Sequence, residues 1–290
     1  MEALSRRLKL ERWLHARREA WRAAFVKGPV TGFAFEFVSF GVKQAWCCLF
    51  GGLMLALLVG SFLFYPAGAP LPRYDFLTLA ALAIQVAMVA TRLETWGEAR
   101  VIFAFHVVGT IMEIFKTGAG SWIYPEESFL RIAGVPLFSG FMYAAVGSYL
   151  ARVWRIFEFR FERFPPLWLQ ALLAAGVYAN FFTHHYMPDI RLGLFAFSVI
   201  IYAPCFVYFR PDRQERFMPL AIGLLLVALF IWFAENLGTF ARAWVYPSQD
   251  KGWHPVSLDK LGSWYLLMII SFVLVAALHH GFGRQKGQGV

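Results

Sequence analysis

Residues 224–234 read LLLVALFIWFA, and the residue that follows them is an acid, Glu235. An uninterrupted apolar run of this kind is typical of a helix that crosses a lipid bilayer, which needs about 20 mostly apolar residues. Glu235 is the exception, because an ionised side chain inside the bilayer costs about 2.5–3.5 kcal/mol on insertion scales. The stretch therefore predicts a membrane helix that carries a functional residue near its end.

The composition extends this interpretation to the whole chain. Hydrophobic residues make up 59% of the 290 residues and charged residues only 16%, a balance that is typical of integral membrane proteins. The formal net charge is +9, yet the basic residues lie between apolar runs and near the N-terminus instead of in one soluble domain. We therefore expect membrane lipids, and no nucleic acid, as partners.

Apolar segments of spanning length predict an all-α, polytopic membrane helix bundle with about eight transmembrane helices. Residues 1–35 precede them and predict a cationic amphipathic helix at the membrane surface, with a solvated helix as the alternative. The rest, residues 36–285, is predicted to form a single membrane domain. The eight segments are residues 43–65, 75–93, 99–117, 134–156, 166–183, 190–209, 216–239 and 261–281.

The lysine and arginine residues predict the orientation of the chain in the membrane. With the N-terminus inside, the inner side receives 20 of the 27 lysine and arginine residues, and the outer side receives seven. The sequence therefore predicts a multi-pass protein whose N-terminus and C-terminus are both cytoplasmic.

A short motif occurs twice, as WIYP at residues 122–125 and as WVYP at residues 244–247. The same offset of 122 residues pairs Glu113 with Glu235, which predicts two parallel four-helix repeats over about residues 40–156 and 164–281. The alternative is that the aromatic residues anchor helix ends at the lipid headgroups, with proline as a helix terminator. That alternative does not explain the glutamates.

The duplicated segments supply most of the candidate site residues. A carboxyl group in a low-dielectric setting keeps its proton easily, which suits acid/base chemistry on a lipid. Glu113 and Glu235 are therefore candidate catalytic residues. Candidate substrate-binding residues are Thr117, Trp122, Tyr124, Thr239, Trp244 and Tyr246.

A second polar stretch, NFFTHHYMPDIR at residues 180–191, adds His184 and His185 as catalytic candidates. By the predicted topology it lies on the same outer side as the two glutamates. Histidine and carboxylate ligands suit a divalent metal such as iron, zinc or manganese. The metal hypothesis names four ligands, and its alternative is that the histidines are hydrogen-bonded interfacial residues. The four predicted ligands are His106, Glu113, His184 and Glu235.

Four stretches carry a resemblance to a known family: FEFVSFGVKQAW, FKTGAGSWIYPE, GVPLFSGFMYAAVGSYLARVWR and NFFTHHYMPDIR. With them the chain resembles the YoaT-like family of bacterial integral membrane proteins, a domain-of-unknown-function group, over about residues 30–280. The resemblance implies a location in the bacterial cytoplasmic (inner) membrane and no particular activity. More distantly, a glutamate followed by Thr-Gly and a tyrosine is similar to membrane carotenoid cyclases and hydratases, although the glutamate-to-threonine spacing here is different.

Two functions are consistent with these residues. The first is a membrane-embedded enzyme that acts on a lipophilic substrate, a lipid or an isoprenoid, by glutamate acid/base or metal-assisted chemistry in an outer-side pocket. The second is a proton- or cation-coupled transporter with paired glutamates. Transport is disfavoured because the polar groups are predicted to cluster on one side and no interrupted helices are evident. A purely structural role leaves the acids and the histidines unexplained.

Overall fold

The structure is a computed structural model that describes residue 13 and residues 16–286, with side chains described as far as residue 278. Within these residues the fold is mostly helical. The helices are α1 (residues 16–25), α2 (Pro29–Cys47), α3 (Leu49–Phe64), α4 (Arg73–Ala90), α5 (Trp96–Gly118), α6 (Phe138–Ile156), α7 (Leu167–Thr183), α8 (Arg191–Tyr202), α9 (Leu220–Phe240) and α10 (Asp259–Lys286). The strands are β1 (Arg131–Ile132), β2 (Val135–Pro136), β3 (Arg160–Glu162), β4 (Phe206–Phe209) and β5 (Arg216–Pro219).

Proline and capping residues mark where the helices begin. Pro72, Pro166 and Pro219 directly precede α4, α7 and α9, because proline lacks the N–H that a helix interior requires. α5 begins with a capping box, in which Thr95 Oγ1 accepts from the Glu98 N–H and Glu98 Oε2 accepts from the Thr95 N–H. These signals set the starting points of the helices that carry the candidate site.

Glycines allow α5 and α6 to pack closely. A Cβ atom at Gly109 would overlap the ring of Tyr143, and one at Gly140 would overlap His106. Small residues at helix contacts are the usual way for membrane helices to approach each other. This close packing brings Tyr143 on α6 against the half of α5 that carries Glu113.

The short strands correct the all-α prediction. β1 and β2 form an antiparallel pair, and β3, β4 and β5 form a three-stranded antiparallel sheet in that order. Two of the predicted spans, residues 190–209 and 216–239, had included β4 and β5. These segments are apolar enough to resemble span ends, but their backbone hydrogen bonds are made between strands, which composition alone does not reveal.

The number of helices suited to crossing a membrane is smaller than predicted. By length and composition, four of the described helices qualify, or five if the bent pair α2 and α3 counts as one span. α8 has 12 residues, about 18 Å of helix against a hydrocarbon core of about 30 Å. Eight transmembrane helices are therefore not supported. The helices support a membrane protein with several apolar helices. The four helices are α4, α5, α9 and the part of α10 from Asp259 to Leu278.

The first predicted span also has a different form. α2 begins at Pro29, so the predicted domain boundary at residue 35 falls inside a helix. α2 and α3 meet at Cys48 with a bend of 69°. This segment is either a broken span or a re-entrant loop, and it is a discontinuous helix of the kind that the sequence did not reveal.

The N-terminal helix α1 contacts the loop between β4 and β5. Arg18 and Arg22 both form ion pairs with Asp212, while Trp21 and Phe25 are exposed. The basic residues of α1 thus bind another segment of the chain while its aromatic residues face outward, as expected for a helix at a polar–apolar boundary. Most of the predicted surface segment before residue 16 lies outside the described residues.

Candidate functional site

Glu113, near the end of α5, is buried and fully surrounded by hydrogen-bond donors. Its side chain is 4% exposed. Oε2 accepts from Trp122 Nε1 at 2.7 Å and from the Tyr124 hydroxyl at 2.6 Å, while Oε1 accepts from the Tyr143 hydroxyl at 2.8 Å. Two donors come from the loop after α5 and the third from α6. No described cation forms a salt bridge with this carboxyl group.

Glu235, near the end of α9, is 3% exposed and has a similar environment. Oε1 accepts from the Tyr246 hydroxyl in the following loop, and Oε2 accepts from Trp264 Nε1 of α10 at 2.6 Å. Each acid therefore accepts a hydrogen bond from its own tyrosine, which lies 11 residues further along the chain. They differ in the donor from the neighbouring helix, which is Tyr143 for Glu113 and Trp264 for Glu235.

The two aromatic loops meet between the glutamates. Ile123 and Val245 form an antiparallel bridge with backbone hydrogen bonds of 3.0 and 2.9 Å. The rings of Trp122 and Tyr246 lie edge to face, with centroids 6.0 Å apart and an angle of 80°. Each of these rings donates a hydrogen bond to a different glutamate. The bridge thus joins the surroundings of the two acids into one aromatic layer.

An apolar cavity adjoins this layer. It lies between α5, α6, α9 and α10, and its lining includes Phe105, Met112, Ile231 and Leu274. Tyr143 and Trp264, the two helix-borne donors to the glutamates, also line it. An apolar molecule in the cavity would therefore contact one side chain bonded to each acid.

The loop tyrosines are held as hydrogen-bond donors. Burial raises the pKa of Tyr124 well above its ordinary value, and the neighbouring Glu113 carboxyl raises it further. Burial also raises the pKa of Tyr246, and the neighbouring Glu235 carboxyl raises it further. Both hydroxyls consequently keep their protons at neutral pH.

The remaining predicted substrate-binding residues are not at the carboxyl groups. Thr117 Oγ1 is buried without a hydrogen-bond partner, and Thr239 Oγ1 accepts from Trp253 Nε1 at 3.1 Å. Trp244 packs its ring against Gly238 in an apolar cluster. In the described residues the second tryptophan donor to an acid is Trp264 instead of Trp244, and substrate binding by Trp244 stays a prediction. The two WxYP motifs place their tyrosines alike and their tryptophans differently.

His184 and His185 lie beside a lysine instead of a glutamate. α7 ends at Thr183, and both imidazoles turn to Lys116 Nζ, with His185 Nε2 at 3.0 Å and His184 Nε2 at 3.4 Å. Burial lowers the pKa of His185, and the Lys116 charge lowers it further. The end of the helix allows two adjacent histidines to reach one atom, which a continuous helix would prevent.

The predicted metal site is not formed. No group of three or more histidine, cysteine, aspartate or glutamate side chains is arranged to hold a metal ion within the described part of the chain. His106 packs against Phe141, with ring centroids 4.6 Å apart, and its Nδ1 has no hydrogen-bond partner. The described partners of the four predicted ligands are aromatic side chains for His106, Glu113 and Glu235, and Lys116 for His184, so the four side chains are not grouped around one point.

Comparison with known proteins agrees with the sequence resemblance. Residues 36–272 match the family model described as "Protein of unknown function (DUF817)". The chain belongs to this family. It is 43% identical over 244 residues to the "Uncharacterized protein YoaT" of Bacillus subtilis (strain 168), and the alignment covers 84% of this chain and 91% of that protein. No solved structure matches the chain.

Sequence reasoning about this family member missed three side chains at the glutamates. None of Tyr143, Trp264 and Lys260 was among the predicted site residues. Lys260 Nζ lies 4.4 Å from the ring centroid of Tyr246 and 5.8 Å from that of Trp122. Tyr143 follows Glu113 by 30 residues and Trp264 follows Glu235 by 29, so an antiparallel-helix pairing would have been the signal.

A second polar layer lies at the other end of α5. Glu94 accepts hydrogen bonds from Gln85 and Ser148, and Glu98 forms an ion pair of 3.2 Å with Arg155. Arg152 is fully buried, its three guanidinium nitrogens have no hydrogen-bond partner, and it lies 5.4 Å from the Trp46 ring. Glu98 and Glu113 are 15 residues apart on one helix, about 22 Å. Polar groups therefore occupy both ends of α5.

Proposed function

We propose that this protein is a membrane-embedded enzyme that acts on a lipophilic substrate, a lipid or an isoprenoid, by acid/base chemistry of Glu113. The observation that carries the proposal is that Tyr143 and Trp264, each bonded to one buried glutamate, line the same apolar cavity. An apolar pocket with a few convergent polar groups is the usual form of a small-molecule site.

Glu113 has the connections that a general acid needs. In its protonated form it can give its proton to the Tyr143 hydroxyl while that hydroxyl passes its own proton towards the cavity, so the number of protons is conserved. The reverse sequence removes a proton from the substrate. The enclosed, low-dielectric setting favours the neutral acid before the reaction.

Glu235 is suited to a supporting role. Its neighbour Trp264 is a hydrogen-bond donor only and cannot relay a proton. The indole ring, fixed by the carboxyl group, presents an aromatic surface to the cavity, and such surfaces stabilise positive charge. We infer that this half of the site stabilises a cationic intermediate while the Glu113 half exchanges the proton.

The two halves are inferred to be copies of one unit. Glu113 with Tyr124 and Glu235 with Tyr246 have the same spacing, the same hydrogen bond and a backbone bridge between their loops. These features support a duplicated half-site as the basis of the predicted parallel repeat.

We also infer that the protein lies in the bacterial cytoplasmic (inner) membrane as a multi-pass protein with both termini cytoplasmic. The 20-to-7 distribution of basic residues supports this orientation. So do ion pairs that join the N-terminal segment and two basic loops, namely Arg18–Asp212, Arg216–Glu36 and Arg160–Glu215. Labelling of single cysteines at exposed positions 127 and 213 from either side of the membrane tests the orientation, since we expect opposite sides.

Lipid mass spectrometry tests the proposed enzyme. Cells that express the wild-type chain should contain a lipid or isoprenoid that is absent without it, and Glu113→Gln should abolish its formation. Glu127→Gln is the matched control, because Glu127 is exposed in the same loop region. Identical lipid profiles with and without the wild-type protein would contradict the proposal.

Proton- or cation-coupled transport is the second candidate function, and two observations favour it. The bent pair α2 and α3 is a discontinuous helix, and the Glu94–Arg152 layer places charged groups at the end of α5 opposite Glu113. Both features occur in transporters. Proton flux in proteoliposomes that is lost in Glu113→Gln, together with unchanged lipids, would establish transport instead of catalysis.

A further inference from the structure

Lys116 is a buried cation that contacts no carboxylate among the residues that the structure describes. It lies three residues after Glu113 and is 4% exposed. In the described part of the chain no carboxylate forms a salt bridge with it. Its contacts are the two histidines and the Phe181 ring, whose centroid is 4.3 Å away. Buried charges are normally paired, so this ammonium group is suited to binding an anionic ligand.

The histidines orient the ammonium group without neutralising it. His184 Nδ1 lies 2.8 Å from the Asn180 carbonyl oxygen, which is an acceptor only. Nδ1 therefore carries the proton, and Nε2 is left as an acceptor that faces Lys116. His185 Nε2 also faces Lys116, the two imidazole rings lie side by side with centroids 4.2 Å apart, and His185 is exposed. His185 thus marks the route from the surface to Lys116.

Lys260, at the start of α10, is a second cation in this region. It is an electrostatic neighbour of Lys116, and its described contacts are the rings of Tyr246 and Trp122. It also forms no salt bridge within the described residues. Arg191 differs, because Asp189 pairs with it at 3.1 Å. Asp189 is an electrostatic neighbour of Lys116 and Glu235 of Lys260, but neither carboxylate forms a salt bridge with its lysine within the described residues.

The glutamates do not neutralise the lysines when they act as acids. All the described hydrogen bonds of their carboxyl groups go to tryptophan and tyrosine donors, and the proposed chemistry begins with Glu113 protonated. A single carboxylate would balance only one of the two lysines. A phosphate or diphosphate group carries about two negative charges at neutral pH and is bound well by lysine and histidine donors.

The position of the lysines indicates how such a ligand would lie. Lys116 is one turn from Glu113 on α5, and Lys260 is one turn from Trp264 on α10, whose ring lines the cavity. We infer that Lys116, His185 and Lys260 bind the phosphate or diphosphate headgroup of an amphiphilic substrate whose apolar tail enters the cavity. This inference rests on the proposed function and narrows its substrate class to phosphorylated lipids or isoprenoids.

Three matched probes test the headgroup site on the full-length protein in detergent. Farnesyl diphosphate shares its tail with farnesol and its headgroup with inorganic diphosphate. The binding of all three is measured by tryptophan fluorescence and calorimetry. Farnesyl diphosphate should bind about 10- to 100-fold more tightly than farnesol and more tightly than inorganic diphosphate. Equal affinity for farnesyl diphosphate and farnesol would overturn the inference. Equal affinity for the two diphosphates would also overturn it, because the site would then take a free anion.

Variants locate the effect. Lys116→Met keeps the length of the side chain and removes its charge, so it should remove most of the preference for the diphosphate and leave farnesol binding unchanged. His185→Gln, at an exposed position that folding tolerates, should weaken the preference. Lys251→Met in the exposed loop is the control and should have no effect. An unchanged preference in both Lys116→Met and His185→Gln would contradict the assigned site.

The outcome is separable from that of the proposed enzyme. Glu113→Gln should abolish lipid conversion but keep the preference for farnesyl diphosphate, because the headgroup contacts are intact. A diphosphate preference in a protein that leaves cellular lipids unchanged would refute the enzyme and keep the headgroup site. Conversion of a lipid without any preference for the diphosphate would refute the headgroup site alone.

Discussion

The Glu113 and Glu235 half-sites begin from the same residues and end with different surroundings. Each glutamate lies near the end of a membrane-type helix and accepts a hydrogen bond from a tyrosine 11 residues later. Glu113 then receives two further donors, Trp122 and Tyr143, whereas Glu235 receives one, Trp264. The helix that packs against each acid therefore determines the group that faces the cavity.

In the proposed enzyme, this difference would separate proton exchange from charge stabilisation. A tyrosine hydroxyl donates and accepts, so Tyr143 can connect Glu113 to a substrate, but an indole N–H only donates. Duplication alone would give two equivalent acids. Under the proposed duplication, the unequal partners on α6 and α10 would mean that the two halves have specialised, and the following experiments test this comparison.

The largest expected difference is between the two acids themselves. Glu113→Gln should lower lipid conversion by about 10²–10⁴-fold, the usual contribution of a general acid or base. Glu235→Gln should lower it by about tenfold, the size of one hydrogen bond that orients Trp264. Lipid mass spectrometry of cells with equal protein levels measures both. Equal losses in the two variants would show that the halves are equivalent.

The side chains that face the cavity should differ in the same direction. Tyr143→Phe keeps the ring and removes the hydroxyl, so we expect about a 100-fold loss of conversion if that hydroxyl relays the proton. Trp264→Phe keeps an aromatic surface and should cost only about threefold. The same conversion assay compares them. A larger loss for Trp264→Phe would reverse the assignment of roles.

Glycine substitutions test whether packing positions the two half-sites. A Cβ at Gly109 would overlap Tyr143, and a Cβ at Gly238 would overlap Trp244, so each alanine variant should lose about 1–3 kcal/mol of stability. Gly109→Ala should also lower conversion, by no more than the about 100-fold loss expected for Tyr143→Phe, because Tyr143 bonds Glu113, whereas Gly238→Ala should not, because Trp244 bonds neither acid. Thermal unfolding and conversion are measured together. Gly118→Ala, with no atom within 4 Å of the new Cβ, should change neither.

The smallest effect concerns one histidine near each half-site. Burial and Lys116 lower the pKa of His185 below 6.5, whereas hydrogen bonds to the Pro255 and Ser248 carbonyls raise that of His254 above 6.5. The His185 contribution to stability is thus present above pH 6.5 and lost as the pH falls. The His254 contribution is present below pH 6.5 and lost as the pH rises through its folded pKa.

NMR titration of the imidazole resonances measures these two pKa values. Lys116→Met should raise the pKa of His185 and leave that of His254 unchanged, because only His185 contacts the lysine. The reverse order of the two pKa values in the wild-type protein would contradict the described hydrogen bonds.

Much of the architecture was predictable from local sequence. The helices α4, α5, α9 and α10 lie in four of the predicted spans, because length and apolar composition are local properties. The bend at Cys48 and the strands β3 to β5 were not predictable, since they depend on which distant segments pair. The membrane class was therefore predicted correctly, but the number of spans was not.

The candidate site likewise has some residues that were predictable from local sequence and others that were not. Glu113, Tyr124 and their partners Glu235 and Tyr246 were identified from a repeated spacing, and the structure joins each acid to its tyrosine. Trp264 and Lys116 were missed, because their importance depends on neighbours about 29 and 68 residues away. The predicted metal ligands failed for a related reason: residues that share a helix face need not face the same neighbour.

The sequence by itself determined that this chain is a mostly helical membrane protein of the DUF817 family with two buried acids, each followed by its own tyrosine. These properties follow from composition and from spacing within single segments. Only the tertiary structure decided that Tyr143 and Trp264 distinguish the two acids, that one cavity adjoins both, and that Lys116 contacts two histidines and no described carboxylate. Helix packing brings together residues from separate segments, and no local pattern contains that information.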